Sequence, residues 1–205
     1  MLTEPALPAR PWPVEREQAL ADLRHTGYTV LALHYPAPPR RELARNHARK
    51  ALAQCLCSFF QCDAADIALH AEAGQAPELA VRGQAVFASF SHEPRISLVA
   101  IDRQGPVGVD VLNLEDPTLS AQECTLLARE YLPPDTATQI ATASEPSRPT
   151  AFAHAWAQHE ATLKCHGKSL DEWQDAIYAL YQNTPCQRVD TGPAYIAVCA
   201  RRARA

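Results

Sequence analysis

The sequence predicts an α+β chain, and three observations carry that prediction. Strand-length runs rich in β-branched and apolar residues recur at Tyr28–Tyr35, Arg95–Asp102, Val107–Leu112 and Ala194–Ala200. Longer stretches of helical character lie between them, at Arg40–Phe60, Ala121–Tyr131 and Thr150–Lys168. Ile96–Ile101 and Ala194–Ala200 also echo each other, a faint sign of internal duplication.

Taken in order, residues 1–14 hold Pro5, Pro8, Pro11 and Pro13, which argues against a regular helix or a central strand and for an extended surface arm. Glu15–Arg24 reads as a short amphipathic helix, and the strand from Tyr28 ends at Pro36-Ala-Pro-Pro39. In the helix from Arg40 to about Phe60, Leu43, Leu52, Leu56 and Phe59 or Phe60 supply the buried side. Asp66–His70 and Phe87–His92 are short strand candidates on either side of a Gly-Pro loop. Pro133-Pro134 stops the helix that begins at Ala121, and the Pro/Ser/Thr/Ala-rich residues 134–149 read as a flexible loop. Pro149 pre-sets the first turn of the next helix, Ser147 or Thr150 can cap it, and Gly167 is a natural stop. Trp173–Tyr181 and the strand Ala194–Ala200 close the chain, with Arg201-Arg-Ala-Arg204 as a solubilising end.

Two stretches carry chemistry. On the helix near residue 160, Glu160 and Lys164 stand four apart and share a face. Alone, such a pair is a surface salt bridge worth about 0.3–0.5 kcal/mol. Asp110, however, is a lone carboxylate inside the apolar run Val107–Leu112, where strand propensity and burial both oppose it. It needs a partner, and a hard cation is one; Mg²⁺ takes one or two protein carboxylates and fills its shell with water and substrate phosphates. Asp110 and Glu160 are the candidate ligands. Arg41, Arg45 and Arg49 recur every fourth residue, either as a solvated helix face or as a phosphate clamp built from guanidinium forks.

Gly108-Val109-Asp110-Val111, followed by Trp156-x-x-His159-Glu160-Ala161-x-x-Lys164-x-x-Gly167-Lys168-x-Leu170, resembles the 4′-phosphopantetheinyl transferases of the Sfp type. Phe87-Ala88-Ser89-Phe90-Ser91-His92 resembles a third signature of that family, with Ala88 off pattern. The three motifs stand in the family's order and cover roughly residues 40–170. There are three departures. Leu112 stands where the family has a second acid, His159 replaces a lysine, and Gly74-Gln75-Ala76-Pro77 lacks the lysine of a Gly-Lys-Pro signature.

The resemblance implies two similar α/β halves related by a pseudo-two-fold axis, here residues 1–103 and 106–205, with coenzyme A in the cleft between them. It implies transfer of 4′-phosphopantetheine from coenzyme A to a serine of an apo acyl or peptidyl carrier protein, leaving adenosine 3′,5′-bisphosphate. In that scheme Asp110 and Glu160 bind Mg²⁺, and Lys164 faces the pantetheine-side phosphate. Glu160 is the base, or else a water on the metal serves. His92 contacts a coenzyme A phosphate with Ser91 nearby, and basic residues such as Arg41, Arg45 and Arg49 hold further phosphates. Without the resemblance, Ser91-His92 would read as a satisfied turn pair. His159 either donates to a phosphate or only fills space beside Trp156.

Residues two apart in a strand share a face, so Asp110 and Leu112 point alike and leucine leaves one ligand position to water. Weaker Mg²⁺ binding is expected unless Glu115 or Asp116 bends back to help. Leu112 also keeps open a non-catalytic relative that binds coenzyme A or a carrier protein, although Asp110, Glu160 and Lys164 all remain.

Composition narrows the classes. The 205 residues, 47% hydrophobic and 20% charged, suit a globular chain with a sizeable core. A net charge of −4 gives no drive toward nucleic acid. No apolar run nears the ~20 residues of a membrane span, and Met1-Leu-Thr-Glu-Pro has no basic region or apolar core of a signal peptide. Seven cysteines without Cys-x-x-Cys spacing suit reduced thiols, so a cytoplasmic monomer is expected. A zinc site is not indicated: Cys55 and Cys57 are wrongly spaced, and His154 and His159, five apart on a helix, do not face one way.

Overall fold

The computed structural model describes residues 5–70, 77–114 and 119–202. Its N-terminal part runs β1 (Leu7–Pro11), α1 (Arg16–His25), β2 (Tyr28–His34), α2 (Arg41–Phe60), β3 (Ile67–His70), β4 (Glu78–Val81), β5 (Gln84–Glu93) and β6 (Ile96–Asp102). The C-terminal part runs β7 (Val107–Asn113), α3 (Ala121–Tyr131), α4 (Pro134–Thr142), α5 (Arg148–Cys165), α6 (Asp175–Gln182), β8 (Cys186–Asp190) and β9 (Tyr195–Arg201). The fold is α+β, as predicted. Among the described residues the strands form one nine-stranded sheet in the order β3-β4-β5-β6-β2-β1-β8-β9-β7. Within it, β5-β6-β2 and β8-β9-β7 repeat one arrangement, an antiparallel trio whose middle strand comes last in sequence.

Strand β1 overturns the expectation of a surface arm. It lies between the two trios, parallel to β8 through Leu7 and Pro8 and parallel to β2 through Ala9, Arg10 and Pro11. Proline is tolerated because neither neighbour pairs along the whole strand, so a continuous ladder of N–H donors is not required. A second correction concerns residues 134–149, which are mostly helical. Pro134 opens α4 at a position where its missing N–H costs nothing, and buried Ala137 and Ile140 join a cluster with Phe152 of α5. Strands β4 and β8 went unforeseen, the first being only four residues long and the second largely polar.

Although β7 ends the strand order, it packs against β5. Two β5 serines help to join them: Ser89 Oγ accepts from the Val109 N–H at 3.1 Å and Ser91 Oγ from the Val111 N–H at 3.2 Å. The sheet therefore curls almost closed, with a side-chain seam where a backbone ladder would otherwise stand. Val107, Val109 and Val111 point into the enclosed core with Ile96, Leu98 and Val189. Gly108, Asp110 and Leu112 necessarily face the other way, toward α5.

Helix α5 meets that face through Ala153, Ala157, Ala161 and Cys165, four small residues spaced one turn apart. Small side chains let helix and strand approach closely. A Cβ built on Gly108 would lie 1.9 Å from the Ala161 carbonyl oxygen and 2.6 Å from the Cys165 nitrogen. The helix stops at Gly167, whose φ of 62° is the left-handed conformation glycine adopts without cost. Helix α2 packs on the other trio, with Leu52 and Leu56 buried against Leu31, Val99 and Ile101. Leu43, expected in that core, is 46% exposed. Arg201, expected in a solubilising tail, instead donates from Nε to the buried Asp102 at 2.7 Å and stacks on Tyr28, tying β9 to β6 and β2.

Candidate active site

A cleft of about 760 Å³ opens between α2, β5, β7 and α5. Its size suits a cofactor-sized ligand. Helix α2 lines one wall with Arg41, Arg45 and Arg49, the stripe read from the sequence, all three exposed there. Ser91 and His92 come from β5, Asp110 and Leu112 from β7, and Trp156, Glu160 and Lys164 from α5. The turn after α5 adds Lys168.

Asp110 is the buried centre of the floor, 6% exposed. Its Oδ1 accepts from Ser91 Oγ at 2.8 Å and from Lys164 Nζ at 2.6 Å. Lys164 also reaches the Val109 carbonyl at 3.3 Å and lies 3.9 Å from Glu160. The strand acid predicted to need a partner thus has two. Ser91 is more committed than its motif suggested, donating to Asp110 while accepting from Val111, and so joins the seam to the acid.

Burial pushes the Glu160 carboxyl above its ordinary range, and the nearby charge of Asp110 adds to the shift while Lys164 opposes it. His92 is driven the other way, to about 4, first by burial and then by the positive charges of Arg45, Lys164, Arg41 and Arg49. Four cations act on one neutral imidazole, so this wall is strongly electropositive. His92 is oriented by Ser97 Oγ, 2.8 Å from Nδ1, and Ser97 is in turn held by Tyr35 OH at 3.0 Å.

His159 departs from its expected place. It is fully buried, its Nδ1 bonded to Tyr181 OH at 2.5 Å, and it does not line the cleft. The cause is helical geometry: one residue before Glu160 means about 100° around the helix, onto the side covered by α6. Burial lowers its pKa to about 4. The space-filling alternative beside Trp156 describes it better than a phosphate contact. Glu115 and Asp116, the possible substitutes for a missing acid, and Gly74–Ala76 lie outside the described residues.

The site also holds a residue not singled out from sequence. Glu93, at the end of β5, lines the cleft beside the Asp110 strand. The signature match ends at His92, and nothing in a lone glutamate before Pro94 marks it.

Asp110 and Glu160 offer hard oxygen donors in one cleft, and the Lys164 ammonium already lies against both. That donor set fits a divalent cation such as Mg²⁺, completed by water and phosphate oxygens. Among the described residues, no group of three or more His, Cys, Asp or Glu side chains is gathered tightly enough to form a complete metal cage.

Residues 106–200 match the family model of the 4′-phosphopantetheinyl transferase superfamily. That stretch runs from the turn before β7 to the last strand and contains Asp110, Glu160 and Lys164. Over that stretch, just under half of the chain, the protein is similar to the phosphopantetheinyl transferases of this superfamily. No curated protein gives a significant match to the chain. Among the described residues, no helix is long and apolar enough to cross a membrane.

Proposed function

We propose that this protein is a Sfp-type, Mg²⁺-dependent transferase that moves 4′-phosphopantetheine from coenzyme A to a serine of an apo carrier protein. The observation that supports this best is the convergence of Asp110, Glu160 and Lys164 with Arg41, Arg45, Arg49 and His92 on one cleft. Anionic groups have a basic wall to rest on, and the acids lie opposite it. On this reading residues 1–103 and 106–205 are the two halves, and coenzyme A binds between them. The partners are coenzyme A and acyl or peptidyl carrier proteins of fatty-acid, polyketide or nonribosomal-peptide synthesis, and the enzyme works as a cytoplasmic monomer.

The arginines and His92 hold the phosphates of coenzyme A, so the pyrophosphate lies over Asp110 and Glu160. Asp110 and Glu160 would hold Mg²⁺, which when bound would supply charge neutralisation for the pyrophosphate and the leaving oxygen. Glu160, its pKa raised by burial, accepts the proton of the carrier serine as that oxygen bonds to the pantetheine-side phosphorus. The bond from that phosphorus to the bridging oxygen breaks, and adenosine 3′,5′-bisphosphate leaves. Lys164 exchanges Asp110 for the phosphate and balances its developing charge.

The test is mass spectrometry of apo carrier proteins incubated with coenzyme A, Mg²⁺ and the protein. A gain of about 340 Da marks covalent attachment of phosphopantetheine to serine. Glu160→Gln, similar in size but uncharged, should abolish the gain while leaving the fold intact. Leu112 in the cleft favours the alternative of a non-catalytic relative. Coenzyme A binding without modification of any carrier would establish that alternative.

A further inference from the structure

Helix α2 ends in a motif whose geometry brings two particular side chains together. Gln61 takes the left-handed conformation, with φ 51° and ψ 55°, and its N–H donates to the Cys57 carbonyl. The Cys62 N–H donates to the same oxygen at 3.1 Å. A helix end closed in this way sets the residue after the left-handed position against the residue five before it, a contact that apolar side chains ordinarily fill. Here both residues are cysteines, and their thiols share a hydrogen bond.

The chain beyond the turn is pinned on both sides of Cys62. Arg82, in the turn between β4 and β5, donates to the Gln61 carbonyl at 3.4 Å and to the Asp66 carboxylate at 3.1 Å. Asp66 in turn accepts from the Asp63 N–H at 3.2 Å. Cys57 and Cys62 are half-buried and line one surface hollow with Arg16 and Arg82, open to a small oxidant. Burial, and after it Cys62, Asp63 and Asp66, raise the Cys57 thiol above its ordinary value, so it rests as a neutral thiol. The other cysteines are placed differently. Cys55, Cys124, Cys165 and Cys199 are buried, and Cys186 is engaged by Thr162 Oγ1 and the Thr184 carbonyl, each at 3.5 Å.

We propose that Cys57 and Cys62 are a redox modification site, at which peroxide converts the two thiols into a disulfide that staples the end of α2 to the segment after it, and thiol reductants reverse the change. The site lies outside the cleft and does not depend on the transferase reading. One sulfur, as thiolate, attacks a peroxide oxygen. The O–O bond breaks, a sulfenic acid forms, and the other oxygen leaves as hydroxide, which takes up a proton to become water. The second sulfur then attacks the sulfenic sulfur. The S–OH bond breaks, and the departing hydroxide takes the second thiol's proton and leaves as water. Together the sulfurs lose two electrons and the peroxide gains them. Bonded sulfurs lie about 2.05 Å apart. The backbone between the cysteines is already closed by the 3.1 Å bond, so rotation of the two side chains brings the sulfurs together.

The experiment exposes the folded full chain to hydrogen peroxide, quenches it, counts free thiols after unfolding, and maps them by mass spectrometry of a chymotryptic digest. Cleavage after Phe60 separates Cys57 from Cys62, so their disulfide shows as two linked peptides. The count should fall from seven free thiols to five as two of them join, and dithiothreitol should restore all seven. Cys57→Ser and Cys62→Ser should each abolish the linked peptides and leave the surviving cysteine carrying oxygen, trapped by dimedone as the sulfenic acid. The wild-type measurement needs neither variant, so the inference stays testable if a serine variant fails to fold. Free thiols at both positions after peroxide treatment overturn it. So do sulfinic acids in place of the link, or a link from either cysteine to Cys55 or to a second chain.

Discussion

Gly108→Ala tests whether the active site depends on the close contact between β7 and α5. The added methyl would begin 1.9 Å from the Ala161 carbonyl oxygen and 2.6 Å from the Cys165 nitrogen, both backbone atoms with no rotamer to change. Restoring an ordinary contact of 3.4 Å requires the helix to withdraw by about 1.5 Å. Overpacking of this kind costs about 1–3 kcal/mol. For a chain of this size that is a fall in Tm of about 2–12 °C. The same withdrawal stretches the 2.6 Å Lys164–Asp110 contact toward 4 Å, beyond hydrogen-bond reach. Misplacing reacting groups by about 1 Å costs on the order of 10²-fold in rate, so transfer should fall at least that far. Thermal melts and a carrier-loading assay measure the two effects. Gly105→Ala is the control: nothing lies within 4 Å of its Cβ position, and neither measurement should move. If Gly108→Ala melts and turns over like wild type, the contact does not position Glu160 and Lys164.

Other outcomes follow from the same geometry. Arg45→Ala and Arg49→Ala should weaken coenzyme A binding in calorimetry, with dephospho-coenzyme A less affected if they hold the 3′-phosphate; unchanged affinity in both would return the stripe to the solvated-face reading. His159, with a folded pKa near 4 against about 6.5 unfolded, takes up a proton first in the unfolded chain. Its contribution to stability is whole above about pH 6.5 and is lost as pH falls, by about 3 kcal/mol at pH 4. Combining His159→Leu with Tyr181→Phe should flatten denaturation midpoints over that window, and an unchanged slope would refute the assignment. Leu112→Glu should move the Mg²⁺ activation curve to lower concentration, and an unmoved curve would mean that position 112 does not face the ion.

The parts of the site that repeat along one element were legible in sequence. The arginine stripe and the Glu160–Lys164 pair need only helical spacing, and Asp110 stood out because a carboxylate inside a valine-rich strand requires a partner. What escaped depends on neighbours distant in sequence. Whether His159 faces the cleft or the core is decided by which side of α5 the rest of the chain covers. Ser91 was assigned to a ligand because its motif lies near one, whereas its hydrogen bonds go to a strand about twenty residues further on. Strand β1 was misread because a proline-rich segment fails as a full ladder partner yet serves two half-length ones.

Strand β1 also sets an order of assembly. Its first residues pair with β8, and the nearby Gln187 side chain donates to the Pro5 carbonyl at 2.6 Å across 182 positions of sequence. During synthesis, residues 5–8 therefore wait for almost the whole chain before their partner exists. Until then the edge of β2 beside Ala9–Pro11 can be covered, but no β8 is there to receive Leu7 and Pro8. Closing so long a loop is among the slower events available to a domain, because the entropy is spent before the contact forms. Among the described strands, the first to be made is thus among the last to be fully paired, and its pairing reports that the C-terminal trio has been made.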